Sequence, residues 1–207
     1  MGVARAVTQR LIKSPALPAA AILGGWLRLD RMFEVSWRWA RRDRVRRLSP
    51  IEIHEAERVF GNSIPYEEVR VVEESPLALR TAALSGQVHL PQGKNLAVTV
   101  FYTIHFTTEL RSDNRDMPWL THELTHVWQY CQRGARYLTD ALQAQAEYGK
   151  DAYKFEEGLA EGWAWDRFNL EQQGEIARAY YRGLVQGRDV SAFQPYIDVL
   201  RGARSAV

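Results

Sequence analysis

Residues 118–130 read "PWLTHELTHVWQY". Inside this stretch lies His122-Glu123-Leu124-Thr125-His126, an HExxH pattern. Four positions are about one helical turn. A helix over 117–132 therefore places Leu120, Leu124, Val127 and Cys131 on one apolar face, and Cys131 is expected in the core. His122 and His126 share a different face with Gln129 beside them, and Glu123 sits at its flank. Two imidazoles one turn apart suit a single metal ion, and the adjoining carboxylate can reach a water on that ion. The bland alternative is a helix that exposes two histidines and solvates a glutamate. Asp116 is expected to cap this helix, with Pro118 tolerated in its first turn.

A catalytic Zn²⁺ takes three protein ligands and keeps one position open for water. The continuation "HVWQYCQR" holds no third histidine, which excludes the HExxHxxGxxH class. His54, His89 and His105 all precede the motif, and His54 sits in "HEAER", a near miss in which Arg58 replaces the second histidine. The third ligand is expected to be a carboxylate on a later helix. Glu157 in "FEEGLAEGWAWDRF" and Glu171 in "NLEQQGEIARAYY" both qualify, each with a second carboxylate one turn on, Glu161 and Glu175. The pattern resembles the gluzincins, zinc peptidases in which a glutamate on the helix after HExxH completes the site. Spacing alone leaves Glu157 and Glu171 both open.

A closer resemblance separates them. The order "LSPIEIHEAERVFGNSIPYEEVRV", "THELTHVWQY", "AYKF" and "FNLEQQGEIARAYY" is similar to a bacterial family labelled Vgr-related. Its relatives include the metallopeptidase-like core domain of contractile injection systems. The resemblance covers residues 48 to about 183, and its specific parts are HELTHVWQ and EQQ-x-EI. It implies weight on His122, Glu123, His126 and Glu171. That family usually reads EQQA where this chain has Gly174. Asn169 is expected to cap the helix that presents Glu171. The oxyanion donor such chemistry needs is sought among Tyr153, Tyr180 and Tyr181, with Tyr153 preferred.

The rest of the chain supplies the frame. Of 207 residues, 46% are hydrophobic and 25% charged, and the single cysteine excludes an internal disulfide. Residues 1–47 hold 11 Lys+Arg against 3 Asp+Glu, while the net charge of the whole is only +2. This asymmetry suits docking to a secretion-apparatus partner or peripheral contact with an anionic membrane, not nucleic-acid binding by the whole chain. Within it, "WLRLDRMFEVSWRWARRDRVRR" (26–47) reads as an amphipathic helix. The apolar run 15–27 is too short to span a membrane and lacks a clear cleavage site, so a cytoplasmic protein, or one exported without a cleavable signal, is expected.

Ser49, Pro50 and Glu52 form a capping box that opens a helix closed by Gly61. Strands are expected at 68–74 and 86–91, and a longer strand or bent pair at 96–106. Helices follow at 117–132, 139–151, 156–166 and 170–186. The expected fold class is α+β: a small antiparallel sheet, then a mainly helical, zincin-like half, preceded by the amphipathic helix. Two units are expected, the basic segment 1–47 and a metallopeptidase domain at 48–207. A peptide or protein is the expected substrate, with "LAVTVFYTIHF" offering an edge strand to it. A non-catalytic metal-binding partner of a bacterial secretion or injection apparatus is the competing expectation.

Overall fold

The Ser49 side chain accepts the Glu52 N–H at 3.2 Å, and the Glu52 carboxylate takes the Ser49 N–H at 2.7 Å. This reciprocal cap starts α1 (Pro50–Phe60), and Gly61 ends it at a φ of +54°, a conformation that costs a residue with a Cβ. The computed structural model describes residues 45–84, 96–111, 115–137, 140 and 149–202. The remaining elements are β1 (Val45–Arg47), β2 (Arg70–Val72), α2 (Pro76–Leu84), β3 (Ala97–Val100), β4 (Thr103–Phe106), α3 (Met117–Arg133), α4 (Glu156–Ala160), α5 (Leu170–Val185) and α6 (Gln194–Leu200). Single 3₁₀ turns lie at Gly149–Tyr153, Trp165–Arg167 and Ser191–Phe193. A small four-stranded sheet is thus followed by a mainly helical half, as expected. Among the described residues, no helix is long and apolar enough to cross a membrane.

The sheet order is β1-β2-β4-β3. The expectation of an antiparallel sheet is corrected at its centre, where β2 runs parallel to β4 with Val71 opposite Ile104. After α2 the chain enters β3 running opposite to β2, and the β3–β4 hairpin then turns it back so that β4 runs parallel to β2. β3 and β4 form the bent pair, antiparallel, with Val100 opposite Thr103 across the Phe101-Tyr102 turn. β4 is buried on both faces, which is why its sequence lacks a clean alternation. Ile104 and Phe106 meet Leu120, Leu124 and Val127 of α3 in the main core, while His105 meets the Ser75 hydroxyl at 2.9 Å.

The amphipathic helix expected over 26–47 lies outside the described residues except at Val45–Arg47. Those three residues are instead an edge strand, antiparallel to β2. Arg46 bridges Glu52 of α1 at 2.8 Å and Glu73 at 3.1 Å, so β1 is tied to the sheet and to the first helix. The strand expected at 86–91, including His89, lies outside the described residues. So does the helix at 139–151, apart from Asp140 and the 3₁₀ turn.

The expected helix at 156–166 stops at Ala160. Trp163 N–H bonds back to Gly158 O at 2.9 Å, and its ring packs 5.5 Å from Phe168. Gly162, at a φ of +66°, takes the left-handed conformation that ends the helix and sends Trp163 back against Phe168.

α3 is sandwiched by the sheet, α1 and α5, and every residue from Leu120 to Tyr130 is buried. Some of its polar groups are tolerated because they find partners within the protein, although the Trp119 and Trp128 indole nitrogens and His122 Nδ1 have no hydrogen bond. Thr121 and Thr125 hydroxyls donate to the carbonyls one turn back, at 2.8 and 3.0 Å. Two expectations for this helix are corrected. Asp116 makes no side-chain cap, because its carboxylate is engaged by the Arg111 backbone N–H (2.8 Å) and guanidinium. Cys131 is exposed, since it lies past the last buried turn.

Candidate metal centre

α3 presents His122, Glu123 and His126, and the first turn of α5 presents Glu171. Asn169 fixes that turn by the expected capping, here a full box: its Oδ1 accepts the Gln172 N–H and its own N–H bonds Gln172 Oε1, both at 2.9 Å. Glu171 Oε2 lies 3.4 Å from His122 Nε2 and 3.7 Å from His126 Nε2. One ligand atom from each of the three residues lies within 4.8 Å of the others. All three are buried, at 5%, 7% and 3% exposure for His122, His126 and Glu171. The histidines are therefore not the exposed pair of the bland alternative. Glu157 is exposed on α4 and stands outside this cluster.

The far side of each ring is differently supported. His126 Nδ1 lies 2.7 Å from Gln129 Oε1. His122 Nδ1 lies 3.0 Å from Glu175 Oε1, within ion-pair distance, but the two are not aligned as a hydrogen bond and the nitrogen is left without one. The His122 ring lies nearly parallel to Trp119, with centroids 6.1 Å apart, and Arg178 sits 4.4 Å over that indole. Gly174 of α5 closes the packing, because a Cβ there would lie 2.8 Å from His122 Cε1 and Nδ1.

Three carboxylates, Glu123, Glu171 and Glu175, face two imidazoles. Burial works to lower the His122 pKa, but Glu171, Glu175 and Glu123 outweigh it and push it up to about 10. His126 is raised as well, against its burial, chiefly by Glu171. Burial opposes ionisation of Glu171, yet His126 and His122 hold its carboxyl well below the usual range. The pocket thus favours positive charge. Two imidazole nitrogens and one carboxylate oxygen converging in such a pocket fit a Zn²⁺ ion, both in donor type and in number.

Glu123 is buried at 4% exposure, and Thr99 Oγ1 of β3 donates to its Oε2 at 2.8 Å. The Tyr153 ring centroid is 6.3 Å from that of His122, and its hydroxyl turns to Glu171 although the residue is 39% exposed. Burial, with the nearby carboxylates of Glu171, Glu123 and Glu175, pushes the Tyr153 pKa up, so the hydroxyl keeps its proton. Tyr180 is buried, and Tyr181 donates to Glu55 Oε2 at 2.8 Å, tying α5 to α1. His54 is exposed.

Sequence reasoning passed over Thr99, Trp119 and Gln173. Gln173 carried a faint signal, two positions after Glu171 in the EQQ run. Thr99 carried none, since only the fold brings β3 to α3.

No family model matches the chain, and no solved structure matches it. Over 164 residues the chain is 30% identical to the Type VI secretion system spike protein VgrG2b of Pseudomonas aeruginosa. The aligned part takes in 75% of this chain but 15% of that protein, so the chain spans a small share of its relative's length. The similarity is to one part of a secretion-apparatus spike protein.

Proposed function

We propose that this chain is a zinc-binding module associated with a bacterial secretion or injection apparatus, and that its centre hydrolyses peptide bonds as a gluzincin-like metallopeptidase. The apparatus association is supported by the similarity to the spike protein. The hydrolytic reading rests on one observation: Glu123 lies on the same helix as His122 and His126, beside a buried three-residue donor set.

His122, His126 and Glu171 would hold Zn²⁺, which when bound polarises a carbonyl and acidifies water. Thr99 engages Glu123 Oε2, which leaves Oε1 to accept the water proton and pass it to the leaving amine. The Tyr153 hydroxyl stays protonated beside Glu171 and is the side-chain donor this reading assigns to a developing oxyanion. β3, one of the two outer strands of the sheet, would offer backbone groups other than the Thr99 carbonyl, which Tyr137 holds, to an extended peptide alongside Glu123.

The second reading, a non-catalytic metal-binding partner of the apparatus, draws on the same similarity. It assigns no work to Glu123. Glu123→Gln separates the two: zinc content by mass spectrometry should match wild type, while zinc-dependent cleavage of a quenched mixed-peptide library should disappear. Absence of cleavage by zinc-loaded wild type would favour the partner reading. Absence of zinc from wild type, even after incubation with the ion, would remove both.

A further inference from the structure

The Gln173 amide nitrogen lies 3.1 Å from Trp165 O and 3.2 Å from Phe168 O. Backbone carbonyls only accept, so both amide hydrogens of Gln173 are committed and its Oε1 is left as an acceptor. That oxygen lies 3.0 Å from Gln129 Nε2, which also faces Leu170 O at 3.0 Å. Both hydrogens of Gln129 are then committed in turn, and its Oε1 must accept. It does so from His126 Nδ1 at 2.7 Å. Nδ1 therefore carries a proton whatever the charge of the ring, and Nε2, the nitrogen that faces Glu171, is the one left to bind a metal.

We infer that Gln129 and Gln173 form an amide relay that sets the tautomer of His126 and locks it in register with Glu171. They are positioning residues for the metal centre. Gln129 holds both ends of the link, because Leu170, whose carbonyl it binds, immediately precedes Glu171. Both glutamines are almost fully buried, at 0% and 1% exposure, so water does not compete for these bonds. No step of the relay needs a charged group, in contrast to the carboxylate beside His122. The inference rests on the reading of His126 as a ligand.

The test uses the full chain with zinc alone as the probe. Affinity is read by competition with a chromophoric chelator, and the nitrogen bound to zinc by long-range ¹H–¹⁵N spectra of the loaded protein. In wild type, zinc should sit on His126 Nε2 with Nδ1–H retained. Gln129→Met removes the acceptor and should weaken zinc binding roughly 10–100-fold, the range for groups that orient a ligand. Gln129→Glu still accepts from Nδ1–H, and should lose clearly less affinity than Gln129→Met. Both variants lose the donors to Leu170 and Gln173, so a merely structural role predicts equal losses of affinity.

Gln173→Met leaves the His126 contact intact but frees the Gln129 amide to turn, and should weaken binding several-fold. Zinc on Nδ1 in wild type, or undiminished affinity in Gln129→Met, would overturn the relay while leaving the site standing. Failure of wild type to take up zinc would overturn the site and the relay together.

Discussion

His122 and His126 are the same residue type on the same helix, one turn apart, yet the protein holds them by different physics. His126 is held by direction: its Nδ1 meets Gln129, and a chain of amides ends on two backbone carbonyls. His122 is held by shape: Trp119 lies parallel on one side, Gly174 leaves room on another, and Nδ1 faces Glu175 without an aligned hydrogen bond. Directional support fixes which nitrogen is free. Steric support fixes where the ring lies but leaves its protonation to charge. Identical residues in a motif can thus depend on quite different neighbours.

The strongest way to break this comparison is to remove a ligand. His122→Ala, His126→Ala and Glu171→Ala should each weaken zinc binding by well over the roughly 100-fold that loss of an orienting group costs. Glu157→Ala should leave it unchanged. Titration against a chelator checks all four, and loss in Glu157→Ala alone would move the third ligand to α4.

The next effect sharpens the contrast. Gly174→Ala should weaken zinc binding about tenfold by pushing the His122 ring, an orienting effect at the low end of the usual range. The same clash should lower the stability of the zinc-free protein, because the buried His122 ring must shift, and this outweighs the roughly 0.5–1 kcal/mol by which alanine suits a helix interior better than glycine. Calorimetry of the zinc-free form beside the titration reads both. A gain in stability with no loss of affinity would mean that the ring has room to spare.

A change remote from both histidines gives the baseline. Arg46→Ala should leave zinc binding alone and cost under about 1 kcal/mol, since Arg46 is partly exposed and its ion pairs are screened. Burial alone would raise the Glu52 carboxyl, but Arg46 and the Ser49 backbone hold it below its ordinary value of 4.5. A carboxylate depressed in the folded state contributes stability above its unfolded value and loses it as pH falls through the folded one. Melting curves of wild type and Arg46→Ala should therefore differ at neutral pH and converge in acid.

The motif made His122, Glu123 and His126 legible because all three lie within five residues on one helix. Glu171 needed the family resemblance, since "EGLAE" around Glu157 looked slightly more like the usual gluzincin signature, and only the fold brings α5 against α3. The helix caps at Ser49 and Asn169 were readable because capping is local. β1 was not, because Val45–Arg47 end an arginine-rich run whose apolar spacing suggested a helix. The parallel β2–β4 pair arises because the second arm of the β3–β4 hairpin, not the first, docks on β2, which no local pattern announces. The amide relay spans 44 residues from Gln129 to Gln173, and the sequence showed Gln129 beside the histidines and Gln173 in the EQQ run without linking the two.

The unbroken burial of α3 from Leu120 to Tyr130 bears on how the centre moves in time. That stretch, unlike the exposed end of α3 at residues 131–133, has no solvent-facing turn to fray, so its amide hydrogens trade with deuterated water only when the core opens. In a hydrogen-exchange experiment, the backbone around His122 and His126 should be among the slowest regions to label. A bound ion would then leave by movement of side chains around Glu171 and Tyr153, not by local melting of the helix that carries the histidines.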